Sequence, residues 1–179
     1  MGCEILNYRN SRCRSLVKGL KLDNQIKVTL YTDGACSGNP GKGGYGAILV
    51  YIDSKGNKHE KELSAGYCDV TNNQMELLSV IVGLEALKKP AEVTVISDSK
   101  YVVDAFNNNW IDTWIKKGWK TASKSPVKNI ELWKRLLKAK ELHDVKFIWV
   151  KGHAGHEYNE RCDTLAVNAY KQDDLPALK

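Results

Sequence analysis

Long apolar runs are missing from this 179-residue chain. No stretch approaches the ~20 consecutive apolar residues a helix needs to span a bilayer, so neither a membrane span nor a membrane partner is expected. Cysteine is sparse: there are five, an odd number, with no CxxC pair and no compact framework. That pattern argues against a disulfide scaffold and reads as reduced thiols in a cytoplasmic protein. His153, His156 and Cys162 fall close together, but no paired cysteine or fourth ligand stands at motif spacing, which argues against zinc. Acidic residues are outnumbered 21 to 27 by Lys and Arg, leaving a net charge of +6. The surplus favours a polyanionic partner, although the same charge spread evenly would only aid solubility.

Nucleotide-binding signatures are absent once context is considered. Gly41-Lys42-Gly43-Gly44-Tyr45-Gly46 matches GxGxxG by letter. A dinucleotide site needs a helix next, because the helix N-terminus binds the pyrophosphate. Tyr45 to Tyr51 reads instead as a strand. A Walker A loop fails as well, because Lys42 is followed by Gly43 rather than Ser or Thr. The Met-Gly-Cys-Glu-Ile-Leu start lacks the Ser or Thr that an acylation signal carries at its sixth position.

What is present reads as one α/β domain with two appendages. Residues 1–25 form a basic extension, with Arg9, Arg12, Arg14, Lys18 and Lys21 outweighing Glu4 and Asp23, and are expected to be disordered. The domain occupies residues 26–171, and residues 172–179 form a tail that should fray. Period-two alternation predicts a strand over Ile26–Asp33, a second over Tyr45–Tyr51 and a third over Lys58–Tyr67, joined by short connections as an antiparallel meander. Thr71 with Gln74 three residues on is a capping box, and the helix it opens runs to about Lys89 before Pro90. A fourth strand spans Glu92–Ser97, and the helix before it implies a crossover and parallel pairing with the first strand. Further helices follow from Ser99, from Ile130 to about His143 and from Tyr158 to Tyr170, with a fifth strand over Val145–Val150.

Four carboxylates fall where these elements end or turn inward. Asp33 and Asp98 close strands; Glu76 and Asp163 head apolar helical faces. Three of them have a bland alternative: an Asx turn at Asp33, a favourable helix-dipole position for Glu76, a helix cap at Asp98. Parallel strands would bring all four to one end of the sheet. Crowded carboxylates repel and cannot all ionise unaided. Hard divalent cations relieve this, and Mg²⁺ takes carboxylate oxygen while keeping water and substrate phosphate. His153, in a Gly-flanked loop near Asp163, suits a proton handler. Residues 110–128 interleave Trp110, Trp114 and Trp119 with Lys116, Lys117, Lys120, Lys124 and Lys128. That mixture fits a nucleic-acid groove, with a helix–loop–helix of core tryptophans as the alternative. Acids beside a basic, Trp-rich lobe point to two-metal phosphodiester hydrolysis.

The blocks Tyr31–Ala47, Thr71–Leu77, Ser97–Tyr101, Gly118–Thr121 and Trp149–Asp163 resemble type 1 ribonuclease H. The resemblance covers about residues 26 to 171. It implies a ribonuclease H-like fold: a five-stranded mixed sheet flanked by helices, strands 1–3 antiparallel and strands 1, 4 and 5 parallel. It implies endonucleolytic cleavage of the RNA strand of RNA–DNA hybrids, leaving 5′-phosphate and 3′-hydroxyl ends; a monomer is the default expectation for the chain. Asp33, Glu76, Asp98 and Asp163 would hold two Mg²⁺ ions, with Mn²⁺ as an alternative, and His153 would assist proton transfer or product release. Asn39, Asn73 and Lys100 would contact the hybrid, with Lys100 standing where Gln is common. Trp110, Trp114, Lys116, Lys117, Trp119 and Lys120 would belong to a basic protrusion that grips DNA. Thr71 and Asn129 match a DNA-phosphate pocket, in which Asp69 replaces a frequent Arg.

Two other classes use the same fold. A catalytically silent hybrid-binding module would have no chemical need for four acids and a loop histidine. A DNA-processing relative of transposases or resolvases would lack the basic protrusion and carry a separate DNA-reading domain.

Overall fold

The computed structural model describes residues 26–152 and 154–178. The basic extension of residues 1–25, His153 and Lys179 lie outside the described residues. Five strands form one sheet: β1 (Ile26–Gly38), β2 (Gly41–Ile52), β3 (Lys58–Val70), β4 (Ala91–Ser97) and β5 (Asp144–Trp149). Their order is β3-β2-β1-β4-β5. β1, β2 and β3 pair antiparallel, while β1 with β4 and β4 with β5 pair parallel, as expected for the mixed sheet. The described helices are α1 (Asn72–Glu85), α2 (Lys100–Asn107), α3 (Trp110–Lys116), α4 (Ile130–Lys140) and α5 (Glu157–Tyr170). None is long and apolar enough to cross a membrane.

β1 does not stop at Asp33 but continues to Gly38, and β2 begins at Gly41. The glycines that read as loop are strand residues stripped of side chains so that helices can touch the sheet backbone. A Cβ at Gly34 would stand 2.4 Å from the backbone nitrogen of Glu76 on α1. On the opposite face, a Cβ at Gly46 would stand 2.1 Å from the carbonyl oxygen of Cys162 on α5. Gly46→Ala should therefore destabilise the fold by about 1–3 kcal/mol in urea unfolding. An unchanged midpoint would contradict the close seating of α5.

α1 is buried on nearly every side: Met75, Leu77, Leu78, Val80, Ile81 and Leu84 are all inaccessible. The sequence predicts a helix to about Lys89 with one apolar face headed by Glu76. The helix is instead the centre of the molecule, with the sheet on one flank and α4 on another, and it ends at Glu85. Arg135 on α4 fastens the two helices by donating to both oxygens of Glu85 at 2.8 and 2.7 Å. Beside this contact the indole of Trp133 is fully buried against Tyr101, Phe106 and Trp114.

The described residues of the C-terminal tail, 172–178, dock on the sheet rather than fray. β3 and β2 slip register between Gly41 and Gly43, so Cys68 and Asp69 together oppose Lys42, and Asp69 takes φ +55°. This β-bulge frees the Cys68 N–H, which donates to the Pro176 carbonyl at 3.0 Å. Leu178 then packs into the small core of Tyr45, Val70, Met75 and Leu78. The tail thus covers the edge strand where it hands over to α1.

Candidate active site

The parallel register of β1 with β4 ends at Thr32 opposite Ser97. The next residues, Asp33 and Asp98, stand side by side where the two strands part. Gly34, lacking a side chain, lets α1 lie on β1 and brings Glu76 to the same fork. Gly44 and Gly46 do the same for α5 on the other face, which carries Asp163. The four acids predicted from sequence therefore converge, and all four are half-buried.

Their bland alternatives fail on geometry. Asp33 lies within a strand and accepts from the adjacent Gly34 N–H at 2.7 Å, which is not an Asx turn. Glu76 is the fifth residue of α1, beyond the first turn that the dipole favours. The cap of α2 is Ser99, not Asp98: its hydroxyl accepts from the Val102 N–H at 3.3 Å.

Electrostatics reflect the crowding. Burial pushes the Asp33 carboxyl up from 3.8 to about 8, and the charges of Asp98, Asp163 and Glu76 push the same way against the Gly34 hydrogen bond. Glu76 is also raised, chiefly by burial and further by Asp98, with the Ser99 hydrogen bond opposing. The carboxylates are held by neutral donors. Ser99 Oγ donates to Glu76 Oε2 at 2.7 Å, and Asn72 Nδ2 donates to Glu76 Oε1 at 3.0 Å. Asn159 Nδ2, on the first turn of α5, reaches Asp98 Oδ2 at 3.4 Å. The indole N–H of Trp149 donates to the Asp98 carbonyl at 2.9 Å. Ser99, Asn72, Asn159 and Trp149 all escaped sequence reasoning. Only Ser99 carried a signal, as a hydroxyl opening a helix directly after an acid.

Among the described residues, no three His, Cys, Asp or Glu side chains are gathered on one point as a ready-made metal cage. The donor set nonetheless suits a hard cation: it offers only oxygens, and its excess of negative charge is what a divalent ion would neutralise. His153 lies outside the described residues. Its neighbour Gly152 abuts Asp98, since a Cβ there would stand 2.4 Å from Oδ2.

The RNase H family model matches residues 25–171. Ribonuclease H of Lachnoclostridium phytofermentans is 65% identical over 145 residues, covering 80% of this chain and 92% of its own. Ribonuclease H of Desulforamulus reducens is 58% identical over 153 residues, covering 86% and 93%. The chain belongs to the ribonuclease H family. Among solved structures, LC9-RNase H1, described as a type 1 RNase H with the type 2 active-site motif, superposes with a TM-score of 0.75. It is 32% identical and the match covers 83% of this chain and 74% of that one. LC11-RNase H1 in complex with an RNA/DNA hybrid superposes with a TM-score of 0.58 at 27% identity, covering 80% and 96%.

The remaining predicted residues of this ribonuclease H sit on several elements. Asn39 tips the β1–β2 turn, and its Oδ1 accepts from the Asn72 N–H at 3.3 Å. Thr71 completes the capping box of α1, with Gln74 Oε1 accepting from its N–H at 2.8 Å. Asn73 is half-buried in the first turn. Lys100 holds its ammonium 4.9 Å over the Trp149 ring. Asn129 initiates α4 and donates to Tyr101 Oη at 3.3 Å. Thr71 and Asn129 share no hydrogen bond with each other.

The tryptophans of the protrusion divide between the two readings. Trp110 is 40% exposed, whereas Trp114 and Trp119 are half-buried against the main core. The chain folds back there, the Trp119 N–H donating to the Trp114 carbonyl at 2.7 Å and the Val127 N–H to the Trp119 carbonyl at 2.9 Å. Lys116, Lys117 and Lys120 are exposed on this frame.

Proposed function

We propose that this ribonuclease H hydrolyses the RNA strand of RNA–DNA hybrids with two divalent ions, leaving 5′-phosphate and 3′-hydroxyl ends. The reading rests above all on the fork of β1 and β4, where four carboxylates crowd. Two Mg²⁺ ions, or Mn²⁺, held by Asp33, Glu76, Asp98 and Asp163 would supply Lewis-acid charge to the attacking water and the leaving 3′-oxygen. The protein's own part is to bring the other three carboxylates close enough to Asp33 that their charges act on it. Gly34 and Gly46 set the helices down on the sheet, and the fixed strand register does the rest. His153 would take up or return the proton.

Recognition would be divided across several elements. Asn39, Asn73 and Lys100 meet the RNA strand, where the 2′-hydroxyl distinguishes it from DNA. Thr71 and Asn129 hold a DNA phosphate, with Asp69 placing a negative charge where an Arg is frequent. Trp110 offers an exposed face to the DNA strand, Trp114 and Trp119 form the frame beneath it, and Lys116, Lys117 and Lys120 bind phosphates. The monomer contains every one of these groups.

Replacing Lys116, Lys117 and Lys120 together by Ala should weaken hybrid binding and reduce the slope of log affinity against log salt by about 2–3. A slope unchanged in fluorescence-anisotropy titrations would show that the protrusion does not grip phosphate. The function itself is tested with four labelled substrates: hybrid, duplex RNA, duplex DNA and single-stranded RNA. Cutting confined to the hybrid's RNA strand is the expected result. Tight hybrid binding without any cutting would make the chain a silent binding module.

A further inference from the structure

Ser99 is four per cent exposed and its hydroxyl carries two bonds at once. It accepts from the Val102 N–H at 3.3 Å, which caps α2, and donates to Glu76 Oε2 at 2.7 Å, which lies on α1. Its own N–H donates to Ser97 Oγ at 3.2 Å, so the β4–α2 turn is fixed from inside. The same turn carries Asp98. One buried hydroxyl therefore ties the carboxylate of Glu76 to the backbone turn that sets Asp98. A cap alone does not need this arrangement, since the cap bond uses the hydroxyl oxygen as acceptor and leaves its proton free to go elsewhere.

We infer that Ser99 is a positioning residue that aims the Glu76 carboxylate at the ions shared with Asp98. The inference rests on the proposed metal-dependent hydrolysis. Its physical basis is the constraint that a donor outside the metal's direct ligands places on the ligand itself. Glu76 has three side-chain torsions, and without an anchor its carboxylate would be free to sample rotamers away from Asp98. Asn72 holds the other oxygen, Oε1, at 3.0 Å, but it sits on the same helix one turn before Glu76 and cannot register that helix against Asp98. Ser99 alone of these two donors belongs to the element that bears the second acid.

Three variants separate positioning from capping. Ser99→Gly removes the hydroxyl while keeping most of the capping preference, because glycine is tolerated at a cap. Ser99→Ala removes both. Ser99→Thr restores the hydroxyl. Mn²⁺ affinity is measured by calorimetry on the full chain, alongside kcat, KM for hybrid and Tm. Positioning predicts Mn²⁺ affinity about tenfold weaker in Ser99→Gly and Ser99→Ala alike, with kcat reduced and KM little changed. It also predicts recovery towards wild type in Ser99→Thr. A fall in Tm for Ser99→Ala with Mn²⁺ affinity and kcat as in wild type in both variants would overturn the inference and leave Ser99 a cap. Wild-type protein that binds no Mn²⁺ would overturn the underlying hydrolytic reading, and this inference with it.

Discussion

Asp33→Asn abolishes turnover, by several orders of magnitude, and at the same time makes the protein more stable at pH 8 when divalent ions are chelated. Both effects come from the same crowding. Asp33 stands where β1 leaves β4, and burial together with Asp98, Asp163 and Glu76 lifts its carboxyl to about 8. The unfolded chain ionises it near 3.8. Between those values the folded protein keeps a proton that the unfolded chain has released, so stability falls as pH rises from about 4 to about 8. Asparagine resembles the protonated acid and removes that slope. The gain at pH 8 is on the order of a few kcal/mol, each shifted unit being worth about 1.4 kcal/mol. A divalent ion should reverse the order, stabilising wild type and not the variant. Thermal melts at pH 5 and pH 8, with EDTA and with Mg²⁺, read all of this. Equal pH slopes in the two proteins would remove the electrostatic argument; residual turnover near wild type would remove Asp33 from the site.

The second large effect is expected 100 residues along the chain. Trp133→Ala should cost about 3–5 kcal/mol, enough to threaten folding at physiological temperature. The indole is fully buried, and its ring lies 5.3 Å from Tyr101, 6.2 Å from Phe106 and 5.5 Å from Trp114 between centroids. Its N–H donates to Tyr101 Oη at 3.1 Å, the same oxygen that receives Asn129 Nδ2 at 3.3 Å. Trp133 is thus the peg on which the Trp114 frame of the protrusion and the Asn129 corner both hang. Trp133→Phe, which keeps a ring but loses the N–H, should lose less stability and still weaken hybrid binding through Asn129. Urea unfolding and anisotropy titration measure the two consequences. A Phe variant with native hybrid affinity would detach Asn129 from this network.

The acids were legible because their chemistry and their flanking elements agree. Apolar alternation locates β1 and β4, and two parallel strands that each end their shared register before an Asp leave little choice of arrangement. The GxGxxG letters were correctly set aside, since they lie within β2 and no helix follows them. The glycines were harder. Gly34 and Gly44 resemble loop punctuation along the chain, and only the pairing of β1 with β2 shows that they are strand. The tail was misread for a similar reason: Pro176 and a polar run suggest fraying, while the β-bulge at Cys68 that receives it arises from a register slip no local pattern announces. The tryptophans could not be divided by composition. Trp110 and Trp114 lie on one short helix, but the first is exposed and the second leans on Trp133. Ser99 and Asn159 act across elements, and small polar residues carry no periodic signal of such contacts.

The central claim is that four carboxylates act through divalent ions on the RNA strand of a hybrid. The direct measurement follows a 5′-labelled RNA strand in hybrid, incubated with the protein in Mg²⁺, then in excess EDTA, then after Mg²⁺ is restored. Cleavage that stops with EDTA and returns with Mg²⁺ is the predicted result. Cleavage that continues undiminished in EDTA would contradict the claim.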